Sequence, residues 1–339
     1  MQPSGRLAGP DPHDRRPTTI AVAAALVIVA VALTAVFVHD IAADGAGTSR
    51  ATLSTAADLS GQTYVVGGKD ISEEQSLLCE ITVAALQEAR ATVTSHCDTG
   101  STEVTRQTLL DGGIDLYWEY TGTAWEVFLD QSQKIVDPAL LYDKVKEQDL
   151  RRNDVVWTDR ADVNDTYAFA MADGRAADTG IASLSAMAAH VRSGAPGDVC
   201  VEREYATRPD GLANMQRAYG FTIPPDRLRV LDAGDIYQAT ARGDCLFGEV
   251  YSTDGRIPGL DLRVLHDDKA YHSIYNPAPT IRKDVYDRNP DVARVLNPIA
   301  HALDYPTMVS LNGEVSAQGR DPREVARTWL ADEGFTPSP

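Results

Sequence analysis

Basic residues are in short supply: 31 Lys and Arg stand against 49 Asp and Glu, a formal net charge of −18. Without a cationic excess to replace phosphate counterions, the composition argues against a nucleic-acid partner. Cysteine is scarce as well, four in 339 residues, with no CxxC spacing, and the seven histidines are scattered. The chain therefore offers no metal-ligand pattern and implies no cofactor. Also missing are a GxSxG elbow, an HExxH helix, a P-loop, and a GxGxxG turn with a following acidic partner. No catalytic residues are expected. Asp254 and the Asp267-Asp268 pair read as caps or turn residues rather than as acid/base carboxylates. No internal repeat or low-complexity domain is visible.

What is present begins with one long apolar run. Ile20 to Val38 is nineteen residues, interrupted only by Thr34. At 1.5 Å per residue it spans roughly 28 Å, enough for a bilayer's hydrocarbon core. Arg6, Arg15 and Arg16 precede it and Asp40 follows, which puts the N-terminus inside. The expected organisation is a cytoplasmic tail (1–19), a signal-anchor or cleaved signal peptide (20–38), and a linker rich in Ala, Gly, Ser and Thr (39–61). The rest works outside the cytoplasm, anchored or secreted. An even cysteine count suits that compartment. Spacing suggests the local bridges Cys79–Cys97 and Cys200–Cys245, although four cysteines allow three pairings.

Beyond residue 61 a strand–helix rhythm sets in. Tyr64 to Val66, Ala91 to Thr94 and Ile114 to Tyr117 read as strands. Ser72 with Gln75 opens a helix as a capping box, Ser101 or Thr102 opens another, and Ala124 to Leu129 begins a third. This β-α-β-α-β-α pattern predicts an α/β fold with a mainly parallel sheet and helices on both faces. A second segment from about Asp165 has strands at Tyr167 to Met171, Leu228 to Leu231, Cys245 to Val250 and Leu262 to Leu265. From Pro277 onward the chain is expected to turn helical. Gly67-Gly68-Lys69, Tyr120-Thr121-Gly122-Thr123 and Tyr251-Ser252-Thr253 each lie just past a strand, where open α/β sheets bind ligands.

The run Asp115 to Trp125, DLYWEYTGTAW, packs aromatics, one Glu and a Gly turn into eleven residues. Aromatic faces beside closely approachable backbone suit a small organic cation. Trp118 is assigned to the core.

Taken in order, Gly67 to Glu73, Gly100 to Val104, Asp115 to Ala124, Asn164 to Ala168, Arg208 to Leu212, Tyr219-Gly220, Tyr251 to Gly255, Leu265 to Lys269, Tyr275 to Pro279 and Leu311-Asn312 form a recognisable series. Over residues 62 to 333 it resembles the substrate-binding proteins of ABC importers for glycine betaine, choline, carnitine and related quaternary-amine osmoprotectants. The resemblance implies a two-lobed, periplasmic-binding-protein-like fold of type II. Lobe one would be 62–163 plus 276–335, lobe two 164–275, with hinges at the two crossings.

It also implies a cage of Tyr120, Tyr167, Tyr251 and Tyr275 around the quaternary ammonium. Lys69, Thr123 and Arg208 would meet a ligand carboxylate, with Arg203 as a rival for Arg208. Many relatives of this kind carry Asn where Asp165 stands; an inward, charged Asp165 would favour choline, whereas if only its backbone faces the ligand betaine remains comfortable. The implied partners are a small quaternary amine, an ABC permease and, through the N-terminal helix, the membrane. A membrane-tethered sensor, or a module binding another small cation or amino acid derivative, is the alternative.

Overall fold

The computed structural model describes residues 52–337. The expected tail, the Ile20–Val38 run and most of the linker lie outside them. Among the described residues, no helix is long and apolar enough to cross a membrane. The end of the expected linker packs into the fold: Leu53 and Leu59 are buried, and the Leu53 N–H donates to the Phe335 carbonyl at 2.8 Å.

Among the described residues, ten strands form two sheets. They are β1 (Thr63–Lys69), β2 (Thr92–Gly100), β3 (Leu116–Tyr120), β4 (Val155–Trp157), β5 (Tyr167–Ala172), β6 (Val199–Glu202), β7 (Leu228–Leu231), β8 (Phe247–Tyr251), β9 (Leu262–Val264) and β10 (Pro277–Arg282). The sheet orders are β2-β1-β3-β10-β4 and β7-β6-β8-β5-β9. The two lobes thus repeat one topology. In each sheet the strand entered straight after a crossing, β5 or β10, runs antiparallel to both neighbours, while the other four share a direction. Each expected mainly parallel sheet is therefore mixed.

Strand β10 corrects the expectation of helix from Pro277 onward. Two prolines in six residues argue against a central strand, because proline cannot donate to a ladder. The geometry removes the objection. In an antiparallel strand the N–H and C=O of a residue face the same neighbour. The Pro277 and Pro279 carbonyls accept from Ala161 and Thr158, beyond the end of β4, so no N–H is missed there.

Ser72 caps the helix Glu73–Glu88 by accepting from the Gln75 N–H at 3.4 Å, and Ser101 caps Thr102–Leu110 in the same way. The first of these helices buries Leu77, Leu78, Ile81 and Leu86 against Leu296, Ile299 and Leu330. Cys79 on that helix is bridged to Cys97 of β2, and Cys200 of β6 to Cys245 just before β8. The bridges pair as the spacing suggested. The expected helix after β3 is a single turn, Thr121–Thr123, running into a π-helical turn, Ala124–Phe128.

The crossings run side by side and are stitched together. Asp165 N–H donates to the Tyr275 carbonyl at 3.0 Å, Tyr275 N–H to Asn164 Oδ1 at 2.7 Å, and Thr166 Oγ1 to the Ser273 carbonyl at 3.0 Å.

Candidate functional site

Strand ends and crossings bring the four named tyrosines together. Tyr167 opens β5 directly opposite Tyr251, which closes β8. Tyr120 closes β3 opposite Pro277, two residues past Tyr275. The four rings belong to one buried cluster, although their strands come from both sheets. Tyr167 is its centre, with ring centroids 5.3 Å from Tyr251 and 5.5 Å, edge-on, from Tyr275. Gly122 explains part of this closeness: a Cβ there would lie 2.7 Å from the Tyr275 ring.

Three of the four hydroxyls donate to carboxylates. Tyr120 donates to Glu74 at 2.7 Å, Tyr251 to Glu202 at 2.9 Å, and Tyr275 to Asp210 at 2.8 Å. These bonds fix ring orientation and feed negative charge toward the ring faces. Burial, foremost, keeps all four phenols far above their usual pKa, so they remain neutral donors.

The expected carboxylate-binding groups sit at the same place but already have partners. Arg208 is buried, forks onto Asp210 at 2.8 and 2.6 Å, and reaches Glu204 at 2.9 Å and Thr123 Oγ1 at 3.3 Å. Its guanidinium lies 5.3 Å from the Tyr167 ring centroid. Burial works against an ionised Asp210, yet the Arg208 bonds and charge outweigh it and hold that carboxyl below the usual range. Arg203, the rival, is exposed. Lys69 is 1% exposed, its Nζ bound to Glu119 at 2.6 Å and 5.2 Å above the Tyr120 ring. Its charge is spent on Glu119, which the sequence reading had not considered.

Asp165 does point its carboxyl inward. Thr253 Oγ1 lies 2.7 Å from both Asp165 Oδ1 and Glu74 Oε2, and Asn312 Nδ2 also donates to Glu74 at 2.7 Å. Burial first, and Glu74 second, push the Asp165 carboxyl well up, toward the protonated form. Raised toward the protonated form, Asp165 repels a ligand carboxylate less than an ordinary Asp would.

Sequence reasoning missed Tyr205, Glu74, Glu202, Glu249 and Asp210. Tyr205 adds a fifth ring, its centroid 4.9 Å from Tyr167, and its hydroxyl is 2.9 Å from His272 Nε2. Glu202 at the end of β6 and Glu249 within β8 carry no spacing that sets them apart from surface charge; only the Tyr251 hydroxyl on Glu202, and the Glu202 N–H on Glu249, reveal their use. Trp118, as expected, is core, its Nε1 donating to Thr82 at 2.7 Å. An opening of about 760 Å³ is lined by Glu73, Glu103, Glu202, Glu204 and Asp232, and so reaches the carboxylate bonded to the Tyr251 hydroxyl. On the opposite side lies a hollow of about 560 Å³, lined by Glu126, Lys134, Arg217, Lys269 and Tyr271. A small cavity of about 10 Å³ adjoins Tyr251, Asp165 and Glu74.

Residues 62–332 match the family described as the substrate-binding domain of the ABC-type glycine betaine transport system. The glycine-betaine-binding protein of Pseudomonas aeruginosa is 37% identical over 277 residues, covering 80% of this chain and 88% of that protein. Glycine betaine-binding protein YehZ of Escherichia coli is 30% identical, covering 79% and 90%. The solved structure of apo YehZ has a TM-score of 0.61 at 29% identity, covering 81% of this chain and 99% of that one. A lactococcal OpuAC structure, closed on glycine betaine, has a TM-score of 0.57 at 14% identity over 80% of this chain and 98% of that one, and shares the fold. The match runs through both sheets and both crossings, and the chain belongs to this family of ABC-transporter substrate-binding proteins, which are solute binders and not enzymes.

Proposed function

We propose that the protein captures a quaternary-ammonium osmolyte, glycine betaine, choline or a close analogue, between its two lobes and passes it to an ABC permease. It works outside the cytoplasm, held at the membrane by Ile20–Val38 or released from it. Tyr120, Tyr167, Tyr251 and Tyr275 receive the methylated nitrogen. The observation that carries this reading is their convergence on one buried point with three hydroxyls drawn onto carboxylates. Each well-placed ring contributes about 0.5–2 kcal/mol to holding a desolvated cation.

Tyr167 and Tyr251 lie on neighbouring strands of one sheet and move together, while Tyr120 belongs to the other sheet, so opening of the lobes separates Tyr120 from that pair and closure brings it back around the ligand. Stitched crossings suit such a hinge. The ligand's polar end faces Thr123 and Arg208, which share a hydrogen bond; Lys69 braces Tyr120, and Asp165 stays neutral beside Thr253. A sensor role also has some support. A Halobacterium salinarum relative named as a chemotactic signal transduction system substrate-binding protein is 27% identical over 80% of this chain.

Calorimetric titration with choline and with glycine betaine tests the proposal. Tyr251→Ala is expected to weaken both by about tenfold or more, ~1.4 kcal/mol, with an unchanged circular dichroism spectrum. Undiminished affinity in a folded variant would remove Tyr251 from the site.

A further inference from the structure

Behind the tyrosine rings sits an acidic pair, Glu202 and Glu249, whose charge the contacts proposed above assign no role beyond holding the Tyr251 ring. Glu202 ends β6, and its Oε1 accepts from the Tyr251 hydroxyl at 2.9 Å and from the Tyr205 N–H at 3.3 Å. The Glu202 N–H donates in turn to Oε2 of Glu249 at 3.1 Å. Glu249 is buried, and its Oε1 finds no hydrogen-bond partner among the described residues. Glu202 is only 6% exposed yet lines the wide opening. It joins a ring of the cluster to that opening.

We propose that Glu202 is a specificity-determining residue of this site: its ionised carboxylate, bonded to the Tyr251 hydroxyl, is the counter-charge that favours a cationic head, and cation capture releases a proton from it. The inference rests on the quaternary-ammonium reading above.

The surroundings of Glu202 set the sign. Glu204, Tyr205 and Arg208 face it from the segment that follows, Glu249 and Tyr251 from β8, and Tyr167 from β5. Asp165 bears on it only indirectly, through Glu249, and its β7 register partner is the neutral Leu231. Burial, then the charge of Glu204, pushes the Glu202 carboxyl up to about 7, against the pull of Tyr251, the Tyr205 N–H and Arg208. Burial and the charge of Glu202 push the Glu249 carboxyl well up, toward the protonated form. Near neutrality Glu202 is part protonated. A cation on the adjacent ring stabilises the ionised form, so binding expels a proton and tightens as pH rises.

The test is calorimetry on the full chain, with choline chloride and glycine betaine as probes. Phosphate and Tris, whose ionisation heats differ, serve as buffers. For the wild type we expect heats that differ between buffers by a fractional proton release, and a Kd that falls several-fold between about pH 6 and about pH 8. Glu202→Gln should bind more weakly, with neither effect. Tyr251→Phe keeps the ring but loses the hydroxyl that favours the ionised carboxylate, so its pH midpoint should move up.

Equal heats with a pH-independent Kd overturn the inference, as does a pH profile that survives Glu202→Gln. If the Gln variant fails to fold, an unmoved midpoint in Tyr251→Phe overturns it. Failure of the wild type to bind either probe at any pH defeats the quaternary-ammonium reading itself. Binding without proton release defeats only the role given to Glu202.

Discussion

At the scale of single residues, Lys69 shows how a buried charge is matched. Lys69 and Glu119 are both essentially buried, at 1% and 0% side-chain exposure. Removing one partner of such a pair leaves the other charged and dry, at about 3–5 kcal/mol. Lys69→Ala is therefore expected to lower the urea midpoint sharply, whereas Lys69→Met combined with Glu119→Gln recovers most of the loss. Equal destabilisation in the single and double variants would contradict this pairing. The same argument explains why reading the sequence assigned Lys69 to a ligand. A Lys after two glycines at a strand end is visible in sequence; a Glu fifty residues later that occupies it is not. The tyrosines were legible because each sits in a short motif of its own. Tyr205, Glu202 and Glu249 were not, because their roles arise only when β5, β6 and β8 lie side by side.

Among elements, one contact between the lobes is backbone on backbone. A Cβ on Gly255, which follows β8, would lie 2.2 Å from the Cα of Gly313, which follows the helix Tyr305–Asn312. Beside this contact Arg256 reaches Glu73 across the lobes at 3.0 Å while also bonding Asp254. Since Gly255 has an ordinary negative φ of −66°, Ala costs nothing in backbone strain there. Its methyl instead forces the lobes apart. Gly255→Ala is expected to raise the radius of gyration in solution scattering and weaken ligand binding, with little change in melting temperature. A variant as compact as the wild type, with full affinity, would show that this contact does not govern closure. Strand β10 makes the corresponding point about legibility. Its prolines hid it, because their tolerance depends on β4 ending early, a fact of tertiary register. Helix starts at Ser72 and Ser101 were legible because caps are local.

For the whole molecule, buried carboxyls near the rings tie stability to pH. Burial raises Asp165 and Glu249 well above the carboxylate range and Glu202 to about 7. Each raised group binds its proton more tightly folded than unfolded. Its stabilisation is thus complete below the unfolded pKa and is lost as pH climbs through the folded value. For Glu202 alone that window runs from about 4.5 to 7, and the loss is about 3 kcal/mol. Asp210 and Asp267 are shifted the other way and destabilise only below the ordinary Asp range. The protein is expected to melt highest near pH 5 and lower at about pH 7.5, by scanning calorimetry. A maximum at or above neutrality would contradict the burial of these acids. A bound cation should narrow the difference.

Enclosure of a methylated ammonium by tyrosine faces can be read directly from the ligand. In proton NMR of choline titrated with the full chain, ring currents above Tyr167 and its neighbours should move the N-methyl resonance upfield. Cross-relaxation should link those methyls to tyrosine ring protons, and Tyr167→Ala should diminish both. A bound choline whose methyl resonance stays at its free position and relaxes only with aliphatic protons would contradict the account.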